Sequence, residues 1–129
     1  MLKRVFAGMT ALALMAIVLP ASAQAQMMEA PSSEVQTISG TVVDLSCKFG
    51  HGLSGKDHRM CSQVCADKGI PLAILSDDGK LYLPITADMP GSSSNDLLKE
   101  FAEQEVTVTG QVFSAGGASA IRIDEIKKS

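Results

Sequence analysis

All three cysteines and both histidines of the chain lie between Cys47 and Cys65. Thiolates and imidazoles are the ligands that zinc and copper take in proteins, and thiolates also carry out disulfide and redox chemistry. The remainder of the sequence contains no comparable combination of residue types. We therefore expect the function of the protein to depend on this stretch, which we call the Cys/His segment.

A helix is predicted over residues 58–68, at the end of the Cys/His segment. No glycine or proline interrupts these residues, and Asp57 is a suitable N-cap. Gly69 and Pro71 follow as stop signals, since neither residue type continues a helix easily. The segment therefore predicts about three turns of helix.

On this helix, His58, Cys61 and Cys65 occupy positions i, i+3 and i+7, so their side chains project from one face. Cys47 follows a strand-like apolar run, and three glycines lie between it and the helix. A loop of this composition is pliable enough to bring Cys47, and with it His51, over the same face. The ligand atoms are expected to converge there.

A metal site is the first hypothesis for this arrangement. Cys47, His58, Cys61 and Cys65 form a Cys₃His set of the kind that closes a tetrahedral structural zinc site, and His51 is an extra candidate ligand. With fewer thiolates engaged, soft sulfur would instead select Cu(I). The expected cofactor is a zinc or copper ion.

A structural disulfide is the alternative. Cys47 would bridge Cys61 or Cys65, which would stabilise the domain by about 3 kcal/mol through loop closure. The third cysteine would be buried as a small hydrophobic residue. A bridge between Cys61 and Cys65 is disfavoured because their Cβ vectors run parallel on a helix. This alternative gives a disulfide-stabilised binding module without a metal.

Thiol redox chemistry is the third hypothesis. His58 lies one turn before Cys61, and an early position in a helix lowers the pKa of a thiol. The motif is CxxxC rather than CxxC, however, and no third group to orient a nucleophile is identifiable. We therefore expect no catalytic residues and no enzymatic activity. Covalent haem is not expected either, because Ala66 rather than histidine follows Cys65.

The first 25 residues have the pattern of a secretory signal peptide. Lys3 and Arg4 precede an apolar run over residues 5–19, and small residues follow, with cleavage expected after Ala23 or Ala25. The apolar run is shorter than the ~20 residues that cross a bilayer, so stable membrane insertion is not expected. These features predict a periplasmic or extracellular protein.

The charge balance bears on the partners of the exported protein. Removing Lys3 and Arg4 from the 11 basic residues leaves nine against 14 acidic residues, a formal net charge of −5. Phosphate binding needs clustered lysine and arginine, so nucleic acid is excluded as the expected partner. The sequence is compatible with a protein partner, which it does not identify.

Five segments of the chain read as strands, because they alternate apolar and polar residues or form short apolar runs between turn residues. They are residues 35–45, 70–75, 80–85, 105–113 and 118–126. Gly40 and Gly110 lie inside the longest of them, where small barrels bend. One domain is thus predicted over residues 35–126, with tails at residues 26–34 and 127–129.

A short helix is predicted between the third and fourth strands. Ser94 or Asn95 is expected to cap it, with Leu97, Leu98 and Phe101 on its buried side. With the Cys-rich helix after the first strand, this order predicts a mainly β protein, a small five-stranded OB-like barrel. An α+β sandwich is the alternative.

The chain also resembles a group of small secreted bacterial proteins with an OB-like strand order. The motifs that carry the resemblance are VVDLSC at residues 42–47, the HxxCxxxC segment at 58–65 and VTVTG at 106–110. The resemblance implies the fold, secretion and a shared cluster formed by Cys47, His58, Cys61 and Cys65. It implies no particular activity.

Overall fold

The computed structural model describes residues 33–129, so the predicted signal peptide lies outside the described residues. Five strands form the body of the protein: β1 (Ser33–Asp44), β2 (Leu72–Ser76), β3 (Leu81–Ile85), β4 (Glu105–Ala115) and β5 (Ala118–Lys128). Three helices connect them: α1 (Leu45–His51), α2 (Arg59–Asp67) and α3 (Asn95–Leu98). Two 3₁₀ turns, Lys56–His58 and Lys99–Phe101, precede α2 and follow α3.

The five strands close into a barrel in the order β1-β2-β3-β5-β4, with β4 returning to β1. All neighbouring strands are antiparallel except β3 and β5, which are parallel. The predicted mainly β, five-stranded OB-like barrel is confirmed, and the α+β sandwich is excluded. Among residues 33–129, no helix has the length and apolar character needed to cross a membrane.

In β1, Gly40 pairs with Ser76 of β2 on one side and Val106 of β4 on the other. A Cβ atom at Gly40 would lie 2.3 Å from the Leu75 carbonyl oxygen, so only glycine allows this approach. Gly110 lies equally close to β5, with a Cβ position 2.2 Å from a carbonyl oxygen, at a register shift between the strands. Both glycines therefore permit close approach of neighbouring strands, and at Gly110 this coincides with an irregularity in strand pairing.

The barrel interior is apolar and tightly closed. Most of its side chains come from the inward faces of the strands: Ile38, Val42, Leu72, Ile74, Tyr82, Val106, Val108, Val112 and Ile121. Ala66 of α2 and Leu98 of α3 join this core, so both helices pack against the barrel. Leu98 is fully buried, whereas Leu97, which was also predicted to be buried, is 43% exposed.

Asn95 joins the two helices and β2. Its amide nitrogen donates to the carbonyl oxygens of Ala66 (3.0 Å) and Ile70 (2.8 Å), and its Oδ1 accepts the Leu72 N–H (3.1 Å). The side chain is buried, so these bonds satisfy backbone groups that water cannot reach. Ser94 is the N-cap of α3, one of the two residues predicted for that position, but its side chain makes no capping hydrogen bond. Asn95 bonds the neighbouring elements instead.

The structure corrects the sequence prediction in three further places. Residues 45–51, expected to end a strand and enter a loop, form α1. The helix predicted over 58–68 is shorter, since Asp57 and His58 belong to a 3₁₀ turn and Asp57 is not the N-cap. Residues 33–34 and 127–128, which were predicted to belong to tails, lie in β1 and β5, whereas the remainder of the predicted tail at residues 26–34 is outside the described residues.

Candidate metal site

Cys47 is held by α1, whose two ends are both capped. Asp44, the last residue of β1, is the N-cap, and the Cys47 N–H donates to Asp44 Oδ1 at 3.0 Å. The helix ends at Gly52, which has a φ of 68° and donates its N–H to the Lys48 carbonyl oxygen. A left-handed glycine in this position is a common helix stop. The short helix thereby fixes Cys47 relative to the end of β1.

Cys61 and Cys65 lie one turn apart on α2, at i and i+4, so they share a face of the helix. Arg59 Nη2 and Gln63 Nε2 donate to backbone carbonyl oxygens of residues 99–100 at 2.7 and 3.2 Å. Asn95 of α3 contacts the carboxyl end of α2 as well. These contacts hold α2 against α3 and the 3₁₀ turn that follows it. The two cysteines therefore stand on an anchored helix.

The two helices bring the three sulfur atoms together. The Sγ atoms of Cys47, Cys61 and Cys65 all lie within 4.8 Å of one another, and we call this group the sulfur cluster. All three cysteines are free thiols. A Zn–S distance of about 2.3 Å in tetrahedral geometry requires S···S separations of about 3.8 Å. Small side-chain movements would suffice to place all three sulfurs on one ion.

A second group of potential ligands shares Cys47 with the sulfur cluster. Ligand atoms of Asp44, Cys47 and His58 lie within 4.8 Å of one another, and we call this the mixed group. His58 thus approaches Cys47, as the metal hypothesis requires, but it does so beside Asp44 rather than within the sulfur cluster. His51 is exposed at the end of α1 and belongs to neither group.

The thiols differ in their access to solvent. Cys47 is 8% exposed, Cys65 is half-buried and Cys61 is exposed. The sulfur cluster therefore extends from the interior to the surface, with Cys61 at its outer end. Met60, the residue before Cys61, is 77% exposed.

Several buried polar atoms have no nitrogen or oxygen hydrogen-bond partner. Within residues 33–129 these atoms are Asp44 Oδ2, His58 Nε2, Arg59 Nε, Ser62 Oγ and Glu103 Oε1. Burying a polar group without a partner costs free energy, so such atoms are normally few. Two of the five residues, Asp44 and His58, belong to the mixed group.

The Asp44 carboxylate influences two of the thiols. A hydrogen bond to Asp44, reinforced by burial, raises the pKa of Cys65 to about 12. Burial, and after it the negative charge of Asp44, raises the pKa of Cys47 above its usual value. Both thiols therefore hold their protons at neutral pH until a cation displaces them, since metals bind cysteine as thiolate.

Asp44 is the site residue that the sequence analysis missed. The signal was present, because an aspartate three residues before Cys47 and a glycine at position 52 are the start and stop signals of a short helix. Reading residues 50–55 as one glycine-rich loop concealed them. Recognising α1 would have identified Asp44 as its cap, adjacent to Cys47.

No protein-family model, curated protein or solved structure matches the chain. The resemblance to small secreted bacterial proteins therefore stays a prediction. The candidate site stands on the arrangement of its own residues.

Proposed function

We propose that the protein is an exported, non-enzymatic domain that binds one zinc or copper ion at the sulfur cluster. The observation that carries the proposal is the convergence of Cys47, Cys61 and Cys65 within 4.8 Å from two separately anchored helices. Three thiolates are a strong donor set for soft and borderline transition metals. His58, close to Cys47, supplies a nitrogen ligand beside them.

The location of the cluster also supports metal binding. It lies at the surface of a barrel whose core is closed without it, so the ion is not needed to fill the interior. Cys61 is exposed, which gives an incoming ion a first ligand at the surface. The signal-peptide pattern of residues 1–25 supports a periplasmic or extracellular site of action.

Metal reconstitution tests the proposal. Protein purified after export, reduced and freed of metal, is expected to take up one equivalent of Zn²⁺, measured by elemental analysis after desalting. Co²⁺ in place of Zn²⁺ is expected to give the intense near-ultraviolet absorption of cobalt–thiolate bonds. A structural zinc site contributes about 10–16 kcal/mol over its ligands, so Cys61→Ser should weaken zinc binding at least ~100-fold.

Two matched variants control for nonspecific effects. Met60→Leu removes an exposed sulfur next to Cys61, and His51→Gln removes the histidine that lies outside both groups. Both are expected to bind zinc as the unmodified protein does. Substoichiometric metal after reconstitution under reducing conditions would contradict the proposal.

A disulfide-stabilised binding module is the second candidate, because the same proximity of the sulfur atoms favours oxidation in an exported protein. Cys47 bridged to Cys61 or Cys65 would leave one thiol free. Mass spectrometry of the non-reduced, alkylated protein distinguishes the two functions. One closed bridge with a single alkylated cysteine in the native protein supports the module, and three alkylated cysteines after metal removal support the metal site.

A further inference from the structure

We infer that Asp44 and His58 make the site selective for a divalent cation of borderline softness, such as Zn²⁺, over Cu(I). The inference rests on the proposed function and specifies which metal the site takes. It starts from the mixed group, whose oxygen, nitrogen and sulfur ligand atoms lie within 4.8 Å of one another. Cys47 belongs to both groups, so its sulfur lies within 4.8 Å of ligand atoms of the other two cysteines and of Asp44 and His58.

Asp44 is positioned for this role by the backbone. It is 0% exposed, and its Oδ1 is occupied by the Cys47 N–H at the start of α1. That bond fixes the carboxylate, while Oδ2 has no N–H or O–H partner. The thiols of Cys47 and Cys65 hydrogen-bond to this carboxylate while they hold their protons. When metal binding removes those protons, a cation must compensate the buried charge.

His58 presents the complementary nitrogen. Its backbone N–H donates to the Gly55 carbonyl oxygen at 2.9 Å, which holds the 3₁₀ turn before α2 in place. Its Nε2 is buried and has no hydrogen-bond partner. An imidazole nitrogen in this condition can accept a metal ion.

Charge favours a divalent ion. With its thiols deprotonated, Cys47 would have two thiolates within 4.8 Å on one side and the Asp44 carboxylate within 4.8 Å on the other. A monovalent cation compensates one of these negative charges and a divalent cation two, and the difference matters because Asp44 is wholly buried.

Ligand softness points the same way. Cu(I) prefers sulfur and gains little from a carboxylate, whereas zinc accepts sulfur, nitrogen and oxygen ligands together. The sulfur cluster alone would serve either metal. The oxygen and nitrogen of the mixed group add binding energy for zinc that Cu(I) does not obtain.

The test compares the affinities of Zn²⁺ and Cu(I) in Asp44→Asn and His58→Gln, each measured by competition with a chromophoric chelator under reducing conditions. Asparagine keeps an oxygen that can accept the Cys47 N–H and caps helices as well as aspartate does, so α1 should be retained. Each substitution is expected to weaken Zn²⁺ binding at least ~10-fold, by analogy with the effect of outer-shell substitutions, and to change Cu(I) binding less than about threefold.

Asp57→Asn and His51→Gln are the matched controls, because both residues are exposed in the same segment, and they should leave both affinities unchanged. Equal losses for the two metals, or no loss for either, would overturn the inference and leave the proposed function intact. If the unmodified protein binds neither metal, both fail together. Should Asp44→Asn not fold, as judged by circular dichroism, His58→Gln decides the question by itself.

Discussion

The barrel interior and the site beside it are built on opposite principles. In the interior, apolar side chains such as Leu72, Ile74 and Leu98 are at most 2% exposed and need no polar partner. At the site, which we call the polar corner and define as the sulfur cluster with the mixed group, Asp44 Oδ2 and His58 Nε2 are buried without a nitrogen or oxygen partner. The first region is complete as the chain folds it, whereas the second would be completed by the ion that we propose.

This contrast separates the source of stability from the source of function. Burial of apolar surface in the barrel drives folding. Unpaired polar groups in the polar corner oppose folding by a smaller amount. A protein keeps such a cost where a ligand repays it, so the two regions should respond differently to the same kinds of perturbation.

Disrupting the interior should have the largest effect. Leu98→Ala removes a fully buried side chain and leaves a cavity, so we expect the free energy of unfolding to fall by about 2–5 kcal/mol. The adjacent Leu97→Ala, at a 43% exposed position, is the matched control and should cost far less. Chemical denaturation of both variants measures the difference. Equal losses would contradict the assignment of Leu98 to the core.

The pH dependence of the metal-free, reduced protein tests the polar corner. The pKa of Cys65 is raised from 9.0 to about 12, so the fold favours the protonated thiol. The stability that this shift contributes is fully present below the pKa that the Cys65 thiol has in the unfolded chain. It is lost as the pH rises through the pKa that the thiol has in the folded protein. We therefore expect stability to decline as the pH increases above 9.0 towards about 12.

Asp44→Asn provides the comparison for this titration, because the hydrogen bond to Asp44 is the main cause of the raised pKa of Cys65. The decline should be shallower in the variant, while lysine and tyrosine groups titrate in both proteins. Denaturation curves at successive pH values measure the difference in slope. Identical slopes would show that Asp44 does not hold the thiol proton.

The smallest effect is expected from a substitution of Ser62 in α2, because the buried hydroxyl of this residue has no hydrogen-bond partner. Ser62→Ala removes this unsatisfied group and raises helix propensity, so the metal-free protein should become more stable by about 1 kcal/mol. Ser46→Ala, at an exposed position of α1, is the control for helix propensity alone. A loss of stability in Ser62→Ala would mean that the hydroxyl has a partner, such as an ordered water.

The strands and the barrel were predictable because apolar alternation and turn residues are local signals, and Gly40 and Gly110 lie where neighbouring strands approach closely. Cys61 and Cys65 were predictable for the same reason, since helical spacing alone places them on one face. Contacts between residues far apart in the sequence decide which of the other side chains enter the core. Leu98 rather than Leu97 enters the core because of how α3 meets the barrel, which no property of the leucine pair reveals.

The polar corner depends even more on tertiary structure. Whether Asp44 is a solvated turn residue or a buried cap depends on the pairing of β1 with its neighbours. The approach of His58 to Asp44 and Cys47, rather than to the other two sulfurs, follows from the 3₁₀ turn that replaces the first turn of the predicted helix. Sequence spacing identified the chemistry of the site but not its division into two groups.

Closure of the barrel by the parallel pair β3 and β5 limits how other molecules can recognise this domain. Many β proteins capture a peptide by extending a sheet at an unpaired margin, where main-chain groups await a new neighbour. Each of the five described strands has a neighbour on both sides over part of its length. The longest stretches that extend beyond a neighbour are residues 33–39 of β1 and 123–128 of β5, so a visiting polypeptide finds no strand with a margin open along its whole length.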